Sequence, residues 1–143
     1  MRPMATVQRF EDLAVWQEAR ALVKRVYQLT TQFPNHETFG LTNQLRRAAV
    51  SVMANIAEGF ERGSNSEFIH FLFMARASNA EVRSHLYTAL DLNYASPSEI
   101  EEIREHSERL SRRLKALIDY LRHSDMKGHK FHDESATYVI EQP

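Results

Sequence analysis

Five polar residues recur along one stretch of this chain at spacings of four, four, three and four: Arg47, Ser51, Asn55, Glu58 and Arg62. On a helix of about 3.6 residues per turn they stand one above another on a single face. Two chemistries suit such a stripe. Its guanidiniums, repeated around an assembly, would contact phosphates or line a polar channel. Alternatively the stripe is an internal network in which Arg47 pairs with Glu58 or Glu81, satisfying groups that cannot reach water. Arg46 interrupts the apolar arc next to the stripe and suits an inter-subunit salt bridge or a phosphate contact. Arg76 and Arg83, seven residues apart, share a face and are either further phosphate ligands or solvated surface charges. Arg46, Arg76 and Arg83 are thus the candidate nucleic-acid contacts. Lysine stands only at positions 24, 115, 127 and 130, so fourteen of the eighteen basic residues are arginine. Arginine is the better fork for carboxylate or phosphate. Against this, the net charge of −1 and pI near 6.7 argue against a chain that coats nucleic acid by bulk charge.

Other chemistries find little material. With no cysteine, disulfides, thiolate metal sites and thiol catalysis are excluded. A carboxylate-bridged di-iron bundle needs two Glu-x-x-His motifs. The chain offers one, Glu67-x-x-His70; His106 fits no ligand geometry, and His123, His129 and His132 form at most a weak cluster. No nucleophile elbow, phosphate-cradling glycine loop or dinucleotide fingerprint is present. Ser84 and His85, adjacent in sequence, point to different faces of a helix. No catalytic residue, metal ligand or cofactor is therefore assigned, and the expectation is a protein that is not an enzyme.

The elements that hold these residues are helices. Four Gly and four Pro among 143 residues, 43% hydrophobic and 26% charged, describe one helical domain with a sizeable core. Four segments are predicted, at about 12–32, 41–62, 65–93 and 97–124. Asp12 is the expected N-cap of the first, whose apolar face is Trp16, Ala19, Val23, Val26 and Thr30, flanked by Leu22 and Leu29. Phe33-Pro34 ends it, and Gly63 ends the second. Ser64 and Glu67 have capping-box spacing before the third; Ser96-Pro97-Ser98-Glu99 opens the fourth with cap, proline and acid in order. In the fourth, Ile100, Ile103, Ser107, Leu110, Leu114, Leu117 and Leu121 alternate by threes and fours, the seam of a bundle. Short connections make neighbours antiparallel, giving an all-α, up-down-up-down four-helix bundle over 10–124. Residues 1–9 read as an amino-terminal arm and 125–143 as a flexible carboxy-terminal tail. No run reaches the roughly 18 apolar residues of a membrane span, and the first residues carry no apolar leader core, so a cytoplasmic protein is expected.

Two helices carry more apolar surface than a bundle can bury. The second is apolar or small over most of its circumference, whereas a stripe somewhat over 100° wide suffices. The third can turn Phe68, Phe71, Leu72, Ala75, Val82, Leu86 and Leu90 inward, which leaves Phe73, Met74, Tyr87 and Leu92 outside. Together with Phe60 and Met53 these are the expected oligomer-interface residues, and self-association is predicted.

Several fragments also carry a resemblance: Phe10-x-x-Leu13-x-Val15-Trp16-Gln17; Gly40-Leu41-x-x-Gln44-Leu45-Arg46-Arg47-Ala48-Ala49-Val50-Ser51; Asn55-Ile56-Ala57-Glu58-Gly59; Glu67-Phe68-x-x-Phe71-Leu72; and Glu81-x-x-x-x-Leu86. Over about residues 10–122 the chain resembles the bacterial four helix bundle proteins, also called 23S ribosomal RNA intervening-sequence proteins. The resemblance implies a ring of five subunits. It also implies kinship with the accessory proteins of diversity-generating retroelements, pentameric bundles that engage a reverse transcriptase and bind nucleic acid. Those proteins are expected to be strongly basic, and this chain is slightly acidic. Two functions follow as expectations: a homo-oligomeric scaffold for a protein partner, or an RNA- or DNA-binding accessory factor using arginines of the assembled ring.

Overall fold

The computed structural model describes residues 7–124, and the expected tail at 125–143, like most of the arm at 1–9, lies outside the described residues. Among the described residues there are four long helices and no strand: α1 (Ala14–Thr30), α2 (Leu41–Glu61), α3 (Asn65–Asp91) and α4 (Pro97–Arg122), with short 3-10 turns at Phe10–Asp12 and Asn35–Glu37. Each helix packs on its two neighbours around one core, α1 touching α2 and α4 and α3 touching the same two. Partners run in opposite order along the pairs. Asn65, Arg76 and Asn79 of α3 meet Leu121, Ser111 and Ser107 of α4, while Glu18 and Gln32 at the two ends of the first segment meet His106 and Glu99. No helix here is long and apolar enough to cross a membrane.

The seam expected in α4 is buried along its whole length, and so are Trp16, Ala19, Leu22, Val26, Leu29 and Thr30 of α1; Val23 is half-buried. In α3 the buried positions are Phe68, Leu72, Ala75, Asn79, Val82, Leu86 and Ala89, a strict alternation of four and three. The helix ends follow local chemistry. Ser96 accepts from the Glu99 N–H at 3.2 Å and the Glu99 carboxylate accepts from the Ser96 N–H at 3.0 Å, a complete capping box. Ser64 accepts from the Glu67 N–H at 3.3 Å, half of the same device. Gly63, at φ +86°, follows Arg62, the C-cap residue of α2, in the left-handed region that favours glycine. At the end of α3, Asn93 takes φ +59° while the Asn93 and Tyr94 N–H groups donate back to Leu90 and Ala89, a Schellman closure without glycine.

Asp12 does not cap α1. Residues Phe10–Asp12 form a 3-10 turn, Leu13 is the N-cap residue, and no side chain caps the helix. Packing overrides the capping preference: the Phe10 ring sits 5.1 Å from Trp16, edge to face, and Leu13 is fully buried. Where α1 hands over to α2, Glu37 does the capping instead. One of its carboxylate oxygens accepts from the Leu41 N–H at 3.0 Å and the other from the Tyr94 hydroxyl at 2.7 Å. These bonds hold the Glu37 carboxyl below the usual range and the Tyr94 phenol above it.

Two helices come very close at Gly59, buried in α2. A Cβ added there would lie 2.5 Å from Phe71 Cβ and 3.1 Å from Phe68 Cδ1. Gly59→Ala would raise helix propensity by about 1 kcal/mol, yet α2 and α3 would have to part, at an overpacking cost of about 1–3 kcal/mol. The expected outcome is a net loss of up to roughly 2 kcal/mol, read as a lower urea midpoint at unchanged slope.

Candidate functional site

Along α2 the polar stripe divides into three parts with different partners. Arg47 is exposed and meets no carboxylate among the described residues. Its expected pairing with Glu58 or Glu81 is corrected by the geometry: Glu58 is three turns away, about 16 Å of helical rise, and bonds Arg62 at 3.6 Å, while Glu81 holds His85 at 3.1 Å. In the middle, Asn55 donates to the Ser51 carbonyl at 2.8 Å and the Ser51 hydroxyl at 3.0 Å, and that hydroxyl shares a 2.9 Å hydrogen bond with Ser78 of α3. At the far end Arg62 lies between Glu58 and Glu67, its guanidinium 5.0 Å over the Phe71 ring. The stripe is therefore not one site.

The three candidate nucleic-acid contacts are also separate. Arg46 is half-buried toward α1: its Nε donates to the Thr30 hydroxyl at 2.8 Å and its guanidinium stacks 4.5 Å over Tyr27. Arg76 and Arg83 are half-buried in the α3–α4 seam, which corrects their reading as solvated surface charges. Arg83 donates to Ser107 at 3.0 Å and Arg76 to Ser111 at 3.4 Å, and the Arg76 Nε is buried without a hydrogen-bond partner.

Inside the same seam lies a pair that sequence reasoning missed by half. Asn79 and Ser107 are both fully buried. Asn79 donates to the Ser107 carbonyl at 2.8 Å, and the Ser107 hydroxyl donates to the Asn79 side-chain oxygen at 2.7 Å. Ser107 stood out as the polar member of the α4 seam. Its counterpart was visible in the spacing, because Asn79 fills the step between Ala75 and Val82 in the four-three alternation of α3.

Between α1 and α4, Glu18 forms an ion pair with Arg113, and the Glu18 carbonyl accepts from His106 Nε2 at 3.0 Å. A carbonyl can only accept, so Nε2 carries the proton of a neutral ring. Its Nδ1 is buried without a partner. Burial pushes the His106 imidazole below its ordinary value, and the Arg25 and Arg109 charges add to this; the bond to Glu18 opposes it. The sequence suggests His106 only as a metal ligand, and its burial is set by the α1–α4 contact. Among the described residues no three His, Asp or Glu side chains converge to hold a metal ion.

Of the six expected interface residues, Phe60 is corrected: it is 3% exposed and packs edge to face on Phe68 inside the core. Met53 is half-buried against the core. Phe73, Met74, Tyr87 and Leu92 are all exposed by 41–51%. They share the outside of α3 with Ala77 and Ala80, and Val50 and Ala54 are exposed on the neighbouring α2. Arg122 of α4 covers part of the Phe73 ring at 5.0 Å.

Fold and surface together define a class: an all-α four-helix bundle with exposed apolar side chains along the outside of α3. The chain belongs to the 23S rRNA-intervening sequence protein family, whose model matches residues 11–116. A similar solved structure is that of a protein of unknown function from the S23 ribosomal protein family of Bacteroides thetaiotaomicron VPI-5482. It is 22% identical, covers 73% of this chain and 97% of its own, and superposes with a TM-score of 0.66. At that identity the likeness establishes the fold. Among curated proteins none matches the chain.

Two outcomes follow for the polar groups. Asn79→Ala, which removes both bonds of the buried Asn79 amide to Ser107, is expected to cost about 1–3 kcal/mol, whereas Arg47→Ala, at an exposed side chain, should stay within about 0.5 kcal/mol; parallel urea titrations compare them. For His106 the folded ring resists protonation while the unfolded chain accepts a proton near pH 6.5. Stability should therefore be unaffected by this group above that value and decline as pH falls below it, until the depressed folded pKa is passed. Thermal melts from pH 7.5 to 5 should show a shallower decline for His106→Gln than for the unaltered protein.

Proposed function

We propose that this protein is a non-enzymatic, cytoplasmic, homo-oligomeric scaffold, a ring of five subunits as the resemblance implies, that presents helical surfaces to a protein partner. The observation that carries this reading is the outer face of α3. Phe73, Ala80 and Tyr87 recur every seven residues there, all exposed, with Met74 and Ala77 beside them and Leu92 at the end. Exposed aromatic and aliphatic side chains gathered along one helix are what association covers. Aromatic and methionine side chains are enriched at such interfaces. The nucleic-acid alternative weighs less on the residues first assigned to it, because Arg76 and Arg83 have hydroxyl partners in the α3–α4 seam.

Placing a charge in the centre of this face tests the reading. Phe73→Glu, alone and with Tyr87→Glu, should reduce the particle mass measured by light scattering while far-UV circular dichroism keeps its helical signal. A particle of unchanged mass would exclude this face as the interface.

A further inference from the structure

A groove of about 670 Å³ opens between the last turns of α1, the connection that follows and the first half of α2. That volume is in the range of small-molecule sites, about 300–1,000 Å³. Arg46 and Arg47 both line it, with Tyr27, Thr30, Thr42 and Asn43 among the remaining walls, and no acidic side chain does. Elsewhere in the bundle half-buried arginines have partners of their own: Arg104 bonds Glu101 and Glu108, Arg113 bonds Glu18, and Arg83 and Arg76 donate to Ser107 and Ser111. In the groove two like charges from consecutive positions face one space with no counter-charge among the described residues.

Arg46 is moreover held in place. Its Nε is used by Thr30, which itself donates to the Val26 carbonyl at 2.8 Å, and one face of its guanidinium lies on Tyr27. The terminal nitrogens of that fork have no partner among the described residues, so they remain as donors whose position is fixed before any ligand arrives. A held guanidinium loses less freedom on binding and matches the planar spread of phosphate oxygens. The hydroxyl and amide of Thr42 and Asn43 supply neutral donors beside it.

We propose that this groove binds a phosphate group carried on an organic body of nucleotide size. Two guanidiniums balance the charge of a phosphate monoester. The remaining volume exceeds what inorganic phosphate fills, and the flat Arg46–Tyr27 stack is a surface on which a base can lie. A free nucleotide and a nucleotide within a single strand share this chemistry.

The test is calorimetric titration of the full chain with adenosine 5′-monophosphate, adenosine, inorganic phosphate and a short single-stranded RNA, at fixed salt. The monophosphate should bind and adenosine should not. Arg47→Gln, at an exposed position, should weaken binding about tenfold or more. Arg46→Lys, which keeps the charge but removes the fork, should also weaken it, with circular dichroism confirming the fold of both. RNA binding tighter than the monophosphate, with the same arginine dependence, would assign the site to a strand; the reverse order would assign it to a free nucleotide. Absence of binding by the monophosphate and RNA alike would overturn the proposal. Adenosine binding as tightly as the monophosphate, or binding that survives both substitutions, would overturn it as well.

Discussion

At Gly59 the backbone of α2 lies so near α3 that even a methyl group would stand 2.5 Å from Phe71 Cβ. Small side chains continue the intimacy: Ala48 and Ala49 of α2 and Ala75 and Ala89 of α3 are all buried. Close backbones turn the inner stripes of both helices fully into the core, where Leu45, Val52 and Ile56 are sealed with Leu72, Val82 and Leu86. Whatever apolar surface remains on these helices can only face outward. Val50 and Ala54 of α2 and the surplus Phe73, Met74, Tyr87 and Leu92 at α3 are what is left outside once the pair is packed.

Apolar stripes alone leave helices free to slide, and the polar cross-links remove that freedom. Asn79 and Ser107 exchange hydrogen bonds at full burial, so any shift of α3 along α4 would strand both. The Ser51–Ser78 bond does the same between α2 and α3, and the Glu18–Arg113 pair with the His106 bond between α1 and α4. Glu37 links the entry of α2 to the exit of α3 through Leu41 and Tyr94. Each of these is a modest term, and their joint effect is a single register.

Much of this was legible in the sequence because it is local or periodic. The α4 seam, the capping box at Ser96 and Glu99, the stop at Gly63 and the surplus of Phe73, Met74, Tyr87 and Leu92 all follow from spacing along one segment. What was not legible depends on a second element. Asp12 is a good cap in isolation, but the Phe10–Trp16 and Leu13 packing claims the turn it would have opened. Arg47 and Glu58 share a face without sharing a position along the axis, so a wheel makes partners of residues three turns apart. Phe60 falls on the wide apolar arc of α2, and only the position of Phe68 across the α2–α3 contact decides that it faces in. The Arg46–Thr30 bond joins two helices at a place set by the intervening connection, which no single-segment pattern specifies.

If the outer face of α3 is an interface, the protein should not exist alone in water. The most direct measurement is the native mass of the unaltered chain by sedimentation equilibrium, over a range of concentrations at physiological salt. A single species at five times the 16.6 kDa chain mass, stable on dilution, is the result expected. A monomer at every concentration would show that this face is tolerated in solvent, and the scaffold reading would lose its physical basis.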